Sequence, residues 1–551
     1  RPPLALGKVR YFGEPIAVVV ALSQEAARQA ADLVMVEYEP LPVVNSLDEA
    51  LKKGGALVHE NLAFYSRAKA GVYPEPGTNI AHRTKIRKGD MAKGWGQSEI
   101  IVEGTVNLPQ SDHAAMETRT VRAEIKPDGR VIIHTATQAP FTVKQLLSQY
   151  FQLEEGKIIV HTPLVGGAFG GKTSIQLELI AYLASKAVNG RPIKLLNTRE
   201  QDITSCPVHI GLKANVKLGA TKAGKITAAE LNFIVDGGAY AESGPKMAKA
   251  MATDCTGPYN VENVKCDALS VYTNHTYVTA FRGYGRLSYV FALERTMDKL
   301  AHALKMDPLE LRLKNAIVPG DTTPTQVKLN SSNVGNLPQC ILKLKEIINW
   351  EGGIRTEVGN NKVRAKGMSC LWKTSSSPTN AISGVVLTLN KNGSLNLNCG
   401  AVEFGEGTKT ALAQMLAEKM KMDISQINVY MDVNTEVSPK HWKTVASMTA
   451  YMVGNAVLDA AEDLIKQLKG IAAIVLRCPP EILDVGEGKV FVRSNPSIFL
   501  EIKEIAHGYK YPEGSSIGGQ IIARGNFIMS HLSVIDRETG KGQSGPAWTV
   551  G

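Results

Sequence analysis

The sequence predicts a mixed α/β (α+β) fold, with a small α/β unit followed by two large α/β regions. Three observations carry this. At 551 residues the chain is too long for a single core. Strand-like runs alternate with helix-like ones and are joined repeatedly by loops of glycine and other small residues. Turn signatures such as Thr221-Lys222-Ala223-Gly224 and Asn390-Lys391-Asn392-Gly393 mark hairpins within both large regions.

Composition narrows the function classes. With 44% hydrophobic and 21% charged residues the chain is ordinarily globular, and no apolar run is long enough to span a bilayer. The formal charge of +10 invites a nucleic-acid reading. However, Lys and Arg are scattered among Asp and Glu, and no basic helix carries stacking aromatics. The excess reads as solvated surface, suited to an acidic partner subunit. Seven cysteines (206, 255, 266, 340, 370, 399 and 478) include no C-x-x-C pair, which argues against a zinc site or an iron–sulfur cluster held by this chain. Their odd number and wide spacing argue against a disulfide framework and fit a reducing cytoplasm. The chain starts with Arg1, without a signal sequence, and reads as a piece of something longer.

Residues 1–80 form the first unit. Val9 to Val20 reads as a strand broken at Gly13-Glu14-Pro15, Ser23 caps a helix to about Leu33, and Val34 to Tyr38 reads as the returning strand. Phe64 to Gly77 looks like a linker. Residues 81–330 form the second unit. Strands Ile100 to Leu108 and Val121 to Ile125 flank a polar segment in which His113 and Glu117 stand at helical i, i+4 spacing. Without a second His, a hydrogen-bonded corner is the better reading there than a metal site. The strand Val131 to Thr137 leads into Gln138 and a helix to Phe151, so Gln138 sits at a strand-to-helix junction of the kind that faces ligand crevices. The run Val165-Gly166-Gly167-Ala168-Phe169-Gly170-Gly171-Lys172 follows a strand and precedes the helix Leu177 to Ala187. Its glycines suit close approach to a polar or anionic ligand, and equally a plain turn. Gly166 to Thr173 also spells the P-loop pattern, although His161 to Leu164 separate it from its strand. Asp236-Gly237-Gly238 is a second tight turn, and Ala280-Phe281-Arg282-Gly283-Tyr284-Gly285 opens a helix to Leu304. Polar, turn-rich Pro319 to Asn336 suggests a boundary. Residues 331–551 repeat the theme: a hairpin Val385 to Leu397, the loop Val402 to Thr408 before a helix to Met420, Thr444 to Ser447 before a helix to about Leu468, and a last strand beginning at Trp548.

In their order and spacing these loops resemble those of the molybdenum-cofactor-binding subunit of the xanthine dehydrogenase/aldehyde oxidase family, truncated here at both ends. Asp307-Pro308 through Leu311-Arg312 and Asn315 belongs to the same resemblance. The resemblance implies a partial hammerhead domain (1–80) and two molybdenum-cofactor-binding domains, 81–330 and 331–551, the second lacking its C-terminal part. It implies molybdopterin, as such or as the cytosine dinucleotide, with molybdenum held by the pterin and no direct protein ligand. Gly166, Gly167, Phe169, Gly170, Arg282, Gly405, Glu406, Gly407, Ala446 and Ser447 would bind that cofactor. Gln138, Phe169 and Arg282 would serve catalysis, with Tyr284 and Thr173 toward substrate. The implied reaction is hydroxylation of an N-heterocycle or aldehyde with water as the oxygen source. Electrons would pass to [2Fe-2S] and FAD partner subunits, in a dimer of heterotrimers in the cytoplasm, with no nucleic acid and no membrane.

Two departures stand out. The family's general-base glutamate, in Gly-x-Gly-Glu, is not found; Val485-Gly486-Glu487-Gly488 displaces the letters and reads as a hairpin turn. Glu406 stands where the family usually has glutamine, and an acid there would repel a phosphate. A cofactor-less or catalytically incompetent relative, acting as a binding or assembly protein, is therefore the rival reading.

Overall fold

The computed structural model describes residues 1–65, 71–374 and 381–551. Three sheets organise it. The first is five-stranded, in the order Ile80–Lys88, Asn263–Val271, Ile226–Asp236, Gly211–Ala220, Ile100–Leu108. All neighbours are antiparallel except the parallel pair Ile226–Asp236 and Asn263–Val271. Strict alternation along Gly211–Ala220 buries Leu212, Ala214, Val216 and Leu218 on one face. Against that face lies the helix Arg286–Leu304, which buries Tyr289, Leu293, Met297 and Leu300 at helical spacing.

The second sheet runs Val433–Asn434, Ile158–Thr162, Val131–Thr135, Thr120–Ile125, Ile193–Leu196. Val131–Thr135 and Ile158–Thr162 are parallel and joined through the helix Pro140–Phe151, a βαβ crossover. The helix Leu177–Ala187 completes its core through Leu177, Leu179, Ala181 and Tyr182. Its edge strand Val433–Asn434, antiparallel to Ile158–Thr162, is contributed by the second large region. Backbone pairing therefore joins the two regions.

The third sheet, in the order Ile427–Val429, Leu395–Cys399, Ile382–Leu389, Ile522–Ile528, packs against the helices Thr408–Met420 and Thr449–Leu476. The latter helix outruns the expected end at Leu468 by two turns. The last strand, Trp548–Val550, pairs with Trp372–Thr374. The polar 319–336 stretch is packed rather than open, because Leu329 and Val334 are buried against Trp372 and Trp548.

The first unit differs most from expectation. Ser23 does cap the helix Gln24–Asp32, accepting from the Ala26 amide. Val9 to Val20 and Val34 to Tyr38, however, form no strand. Alternating apolar residues favour a strand only where a neighbour completes the ladder, and among the described residues these segments have none. Val44, Ala50, Val58 and Leu62 instead pack on Ile80, Val271 and Tyr272 beside the first sheet. The expected linker Phe64 to Gly77 lies partly outside the described residues. Among the described residues, no helix is long and apolar enough to cross a membrane, and no group of three or more His, Cys, Asp or Glu side chains could hold a metal ion.

Candidate functional site

The loop at 166–173 is the hub on which the other loops meet. It leaves the strand Ile158–Thr162 and enters the helix Leu177–Ala187 through a short 3-10 turn, Gly171–Thr173. Gly170, at φ 103°, lies so close to the next loop that a Cβ there would stand 2.6 Å from the Ala280 carbonyl oxygen. Only glycine permits both the left-handed backbone and that contact. Phe169 is left-handed as well, at φ 54°, and the residue is 46% exposed.

The polar corner at 113–117 is not helical, so His113 and Glu117 do not share a helix face. It braces the hub instead. Glu117 accepts from the Gly166 amide at 2.9 Å and from the buried Lys172 ammonium at 2.6 Å, while its own amide donates to Gly166. His113 Nε2 donates to the Ala280 carbonyl at 2.6 Å, and the ring packs edge-on against Phe281. Burial lowers the His113 pKa, which keeps the imidazole neutral. The P-loop reading fails on the same geometry. Lys172 points inward to Glu117, and the Thr173 hydroxyl donates to Gly170 O at 2.8 Å and contacts Thr279. Neither group is available to a nucleotide phosphate or its metal ion.

Gln138, 2% exposed, ties the hub to the 444–447 loop. Its Oε1 accepts from the Gly170 amide at 3.1 Å, its Nε2 donates to the Thr444 carbonyl at 3.0 Å, and its own carbonyl accepts from the Thr444 amide. Ala446 and Ser447 follow at φ 62° and 56°, two successive non-glycine residues in the left-handed region. The 402–408 loop joins through the Val165 amide, which donates to the Glu403 carbonyl at 3.0 Å, and through packing of Val165 and Ala168 with Val402 and Phe404. Arg282 is exposed and has no hydrogen bond or ion pair among the described residues. Tyr284 is partly buried against the core of the first sheet, where desolvation raises its phenol pKa. Glu487 and Gly488 close a hairpin between Leu483–Gly486 and Lys489–Val492.

The Gly405–Gly407 loop carries a residue the sequence did not single out. The Glu403 carboxylate accepts from the amides of Gly405, Gly407 and Lys409, each at 3.0 Å. It thus caps the helix Thr408–Met420 and fills the donors that an external anion would otherwise use. Burial alone would raise the Glu403 pKa; those amides outweigh it and hold it below the usual carboxylate range. Glu406, exposed, accepts from the Phe404 amide at 3.0 Å. Its carboxyl is held above the usual range by partial desolvation, with the Glu403 charge adding to the shift. A carboxylate a few residues ahead of a helix start is the signal that could have identified Glu403. Nothing local could have identified Asp254, which sits under Arg286 and accepts from the Thr374 hydroxyl at 2.5 Å, linking the first region to the second.

Comparisons with known proteins identify the domains of the chain. A molybdopterin cofactor-binding domain model matches residues 72–316, and a second matches 343–551. The aldehyde oxidase and xanthine dehydrogenase a/b hammerhead model matches 1–42. The chain is 29% identical over 522 residues to the putative xanthine dehydrogenase molybdenum-binding subunit of Escherichia coli, covering 94% of this chain and 66% of that one. It therefore spans just under two thirds of that relative. It is 30% identical to the nicotinate dehydrogenase large molybdopterin subunit of Eubacterium barkeri over 64% of this chain and 79% of the relative. The aldehyde oxidoreductase of Desulfovibrio gigas superposes at a TM-score of 0.80 with 26% identity, over all of this chain and 55% of that one. The chain thus belongs to the xanthine dehydrogenase/aldehyde oxidase family, as a molybdenum-cofactor-binding subunit.

Proposed function

We propose that this chain is the cofactor-bearing part of a molybdenum hydroxylase that oxidises an N-heterocycle or an aldehyde with oxygen taken from water. Its proposed partners are a [2Fe-2S] subunit and an FAD subunit in the cytoplasm, assembled as a dimer of heterotrimers. The observation that carries the reading is the junction at Gln138, which holds the 166–173 and 444–447 loops together from two regions of the chain.

The residues present fit a flat, polar pterin. Among the described residues, the amides of Phe169, Arg282 and Ser447 make no hydrogen bond, and the Arg282 guanidinium is unpaired. Over Gly405 and Gly407 a Cβ would meet nothing within 4 Å, so that loop is open above its backbone. When bound, the cofactor supplies the two-electron chemistry and the site of oxygen transfer. The chain supplies binding and orientation. Exposed Phe169 offers a ring beside the glycines, Arg282 a cation for an anionic tail, and Glu406 in its protonated form a hydrogen-bond donor. In this proposal Gly166, Gly167 and Gly170 let the backbone approach, Ala446 and Ser447 close the opposite side, and Tyr284 and Thr173 lie toward substrate. The two large regions, 81–330 and 331–551, would enclose the cofactor together.

One specific observation favours the rival, a cofactor-less binding or assembly protein: Glu403 already occupies the amides of Gly405 and Gly407. Metal and pterin analysis of protein from a host that makes the cofactor separates the two. Near-stoichiometric molybdenum and pterin, with dye reduction by N-heterocycles or aldehydes once the partners are added, is the expected result. Absence of both cofactor components would overturn the hydroxylase reading.

A further inference from the structure

Two successive non-glycine residues in the left-handed region, Ala446 and Ser447, disfavour the very turn that presents the Ser447 amide. Within the turn, the Met448 amide donates to Val445 O at 3.2 Å. A stronger contact comes from outside. Lys373, on the strand Trp372–Thr374, donates from Nζ to the Ala446 carbonyl at 2.6 Å. We propose that Lys373 is a positioning residue, whose ammonium group holds the Ala446–Ser447 turn in the shape that faces the other three loops.

The surroundings make this clamp sensitive to pH. Trp372–Thr374 lies over the Asp254–Arg286 pair. Trp372 Nε1 donates to the Asp254 carbonyl at 2.9 Å, and Thr374 donates its hydroxyl to the Asp254 carboxylate. The charged groups that act on Lys373 are thus Arg286, from the helix Arg286–Leu304, and Asp254, at the C-terminal end of the helix Gly244–Thr253. Burial pushes the Lys373 ammonium down to about 8, Arg286 adds to that, and Asp254 opposes it. As pH rises through that value, the bond to Ala446 O loses its charge assistance and the turn loosens. Arginine at the same place would keep its charge throughout.

That the turn faces a pterin rests on the function proposed above; that Lys373 stiffens it does not. Hydrogen–deuterium exchange of a peptide spanning 445–448 separates the two, measured on protein as isolated and after the cofactor is stripped. With the intrinsic base-catalysed rate divided out, wild-type protection should fall several-fold between about pH 7 and about pH 9. Lys373→Arg should hold its protection across the range, and Lys373→Met should be poorly protected throughout. Pterin release, followed by fluorescence, should accelerate over the same pH interval in wild type and not in Lys373→Arg. Protection that is flat with pH in wild type, or a step that persists in Lys373→Arg, would overturn the clamp. The arginine variant decides even if Lys373→Met does not fold. Protein isolated without molybdenum or pterin would sink the hydroxylase reading alone, since exchange in the cofactor-free chain still decides the clamp.

Discussion

At the scale of single residues, the Glu403–Glu406 pair determines how the Gly405–Gly407 loop can treat a ligand. Glu403 is the internal anion, held ionised by three amides, and Glu406 is its neighbour with a raised pKa. A carboxyl whose folded pKa is raised contributes stability below its unfolded value and loses it as pH rises through the folded one. Glu406→Gln should therefore be no less stable than wild type at neutral pH, with equal or higher molybdenum occupancy and a weaker pH dependence of both. A sharp loss of molybdenum in the variant would show that the charged form is the one required. His275 is the opposite kind of device. It contacts Asp236 Oδ2 at 2.5 Å and Asn45 Oδ1 at 2.8 Å, and the bond to Asp236 raises its pKa. Its contribution is fully present below the ordinary histidine value of about 6.5 and is lost as pH rises through the folded value above it. The stability difference between wild type and His275→Gln should accordingly be largest in mild acid and fade in alkali. Denaturant titrations across that range check this, and a difference that grows with pH would contradict it.

At the scale of elements, loop-to-loop contacts depend on backbone shape. Gly170→Ala should cost about 1–2 kcal/mol from the left-handed φ alone, with more from the clash against Ala280 O. Because Gly170 also donates to Gln138, the change should loosen the 444–447 loop along with the hub. Lower denaturation midpoints together with lower cofactor occupancy are expected; an Ala variant indistinguishable from wild type would mean the hub is softer than its geometry indicates.

At the scale of the whole molecule, the two large regions are joined by backbone and by charge. Val433–Asn434 extends a sheet built mainly by the first region, and Asp254 receives Arg286 from one side and Thr374 from the other. Arg286 and Asp254 are both buried. Removing one partner leaves the other uncompensated, so Arg286→Met should destabilise the protein by about 3–5 kcal/mol. Equilibrium unfolding measures it. A loss below about 1 kcal/mol would place the pair in the class of solvent-screened contacts.

Much of this layout was legible in the sequence, because it depends on local rules. The helix Leu177–Ala187, the Ser23 cap, the hairpin around Asn390-Lys391-Asn392-Gly393 and the turn at Glu487 follow from periodicity, capping and turn chemistry within a few residues. The order of the glycine loops was enough to indicate the family. Tertiary structure alone decided which groups satisfy the loops: Glu403 within the Gly405–Gly407 turn, Glu117 on Lys172, Lys373 on Ala446 and Asp254 beneath Arg286. It also decided that Val9 to Val20 and Val34 to Tyr38 form no strand. The physical reason is common to both outcomes. A helix closes its hydrogen bonds four residues away, whereas a strand, an ion pair or a clamp needs a partner that only the folded chain brings near.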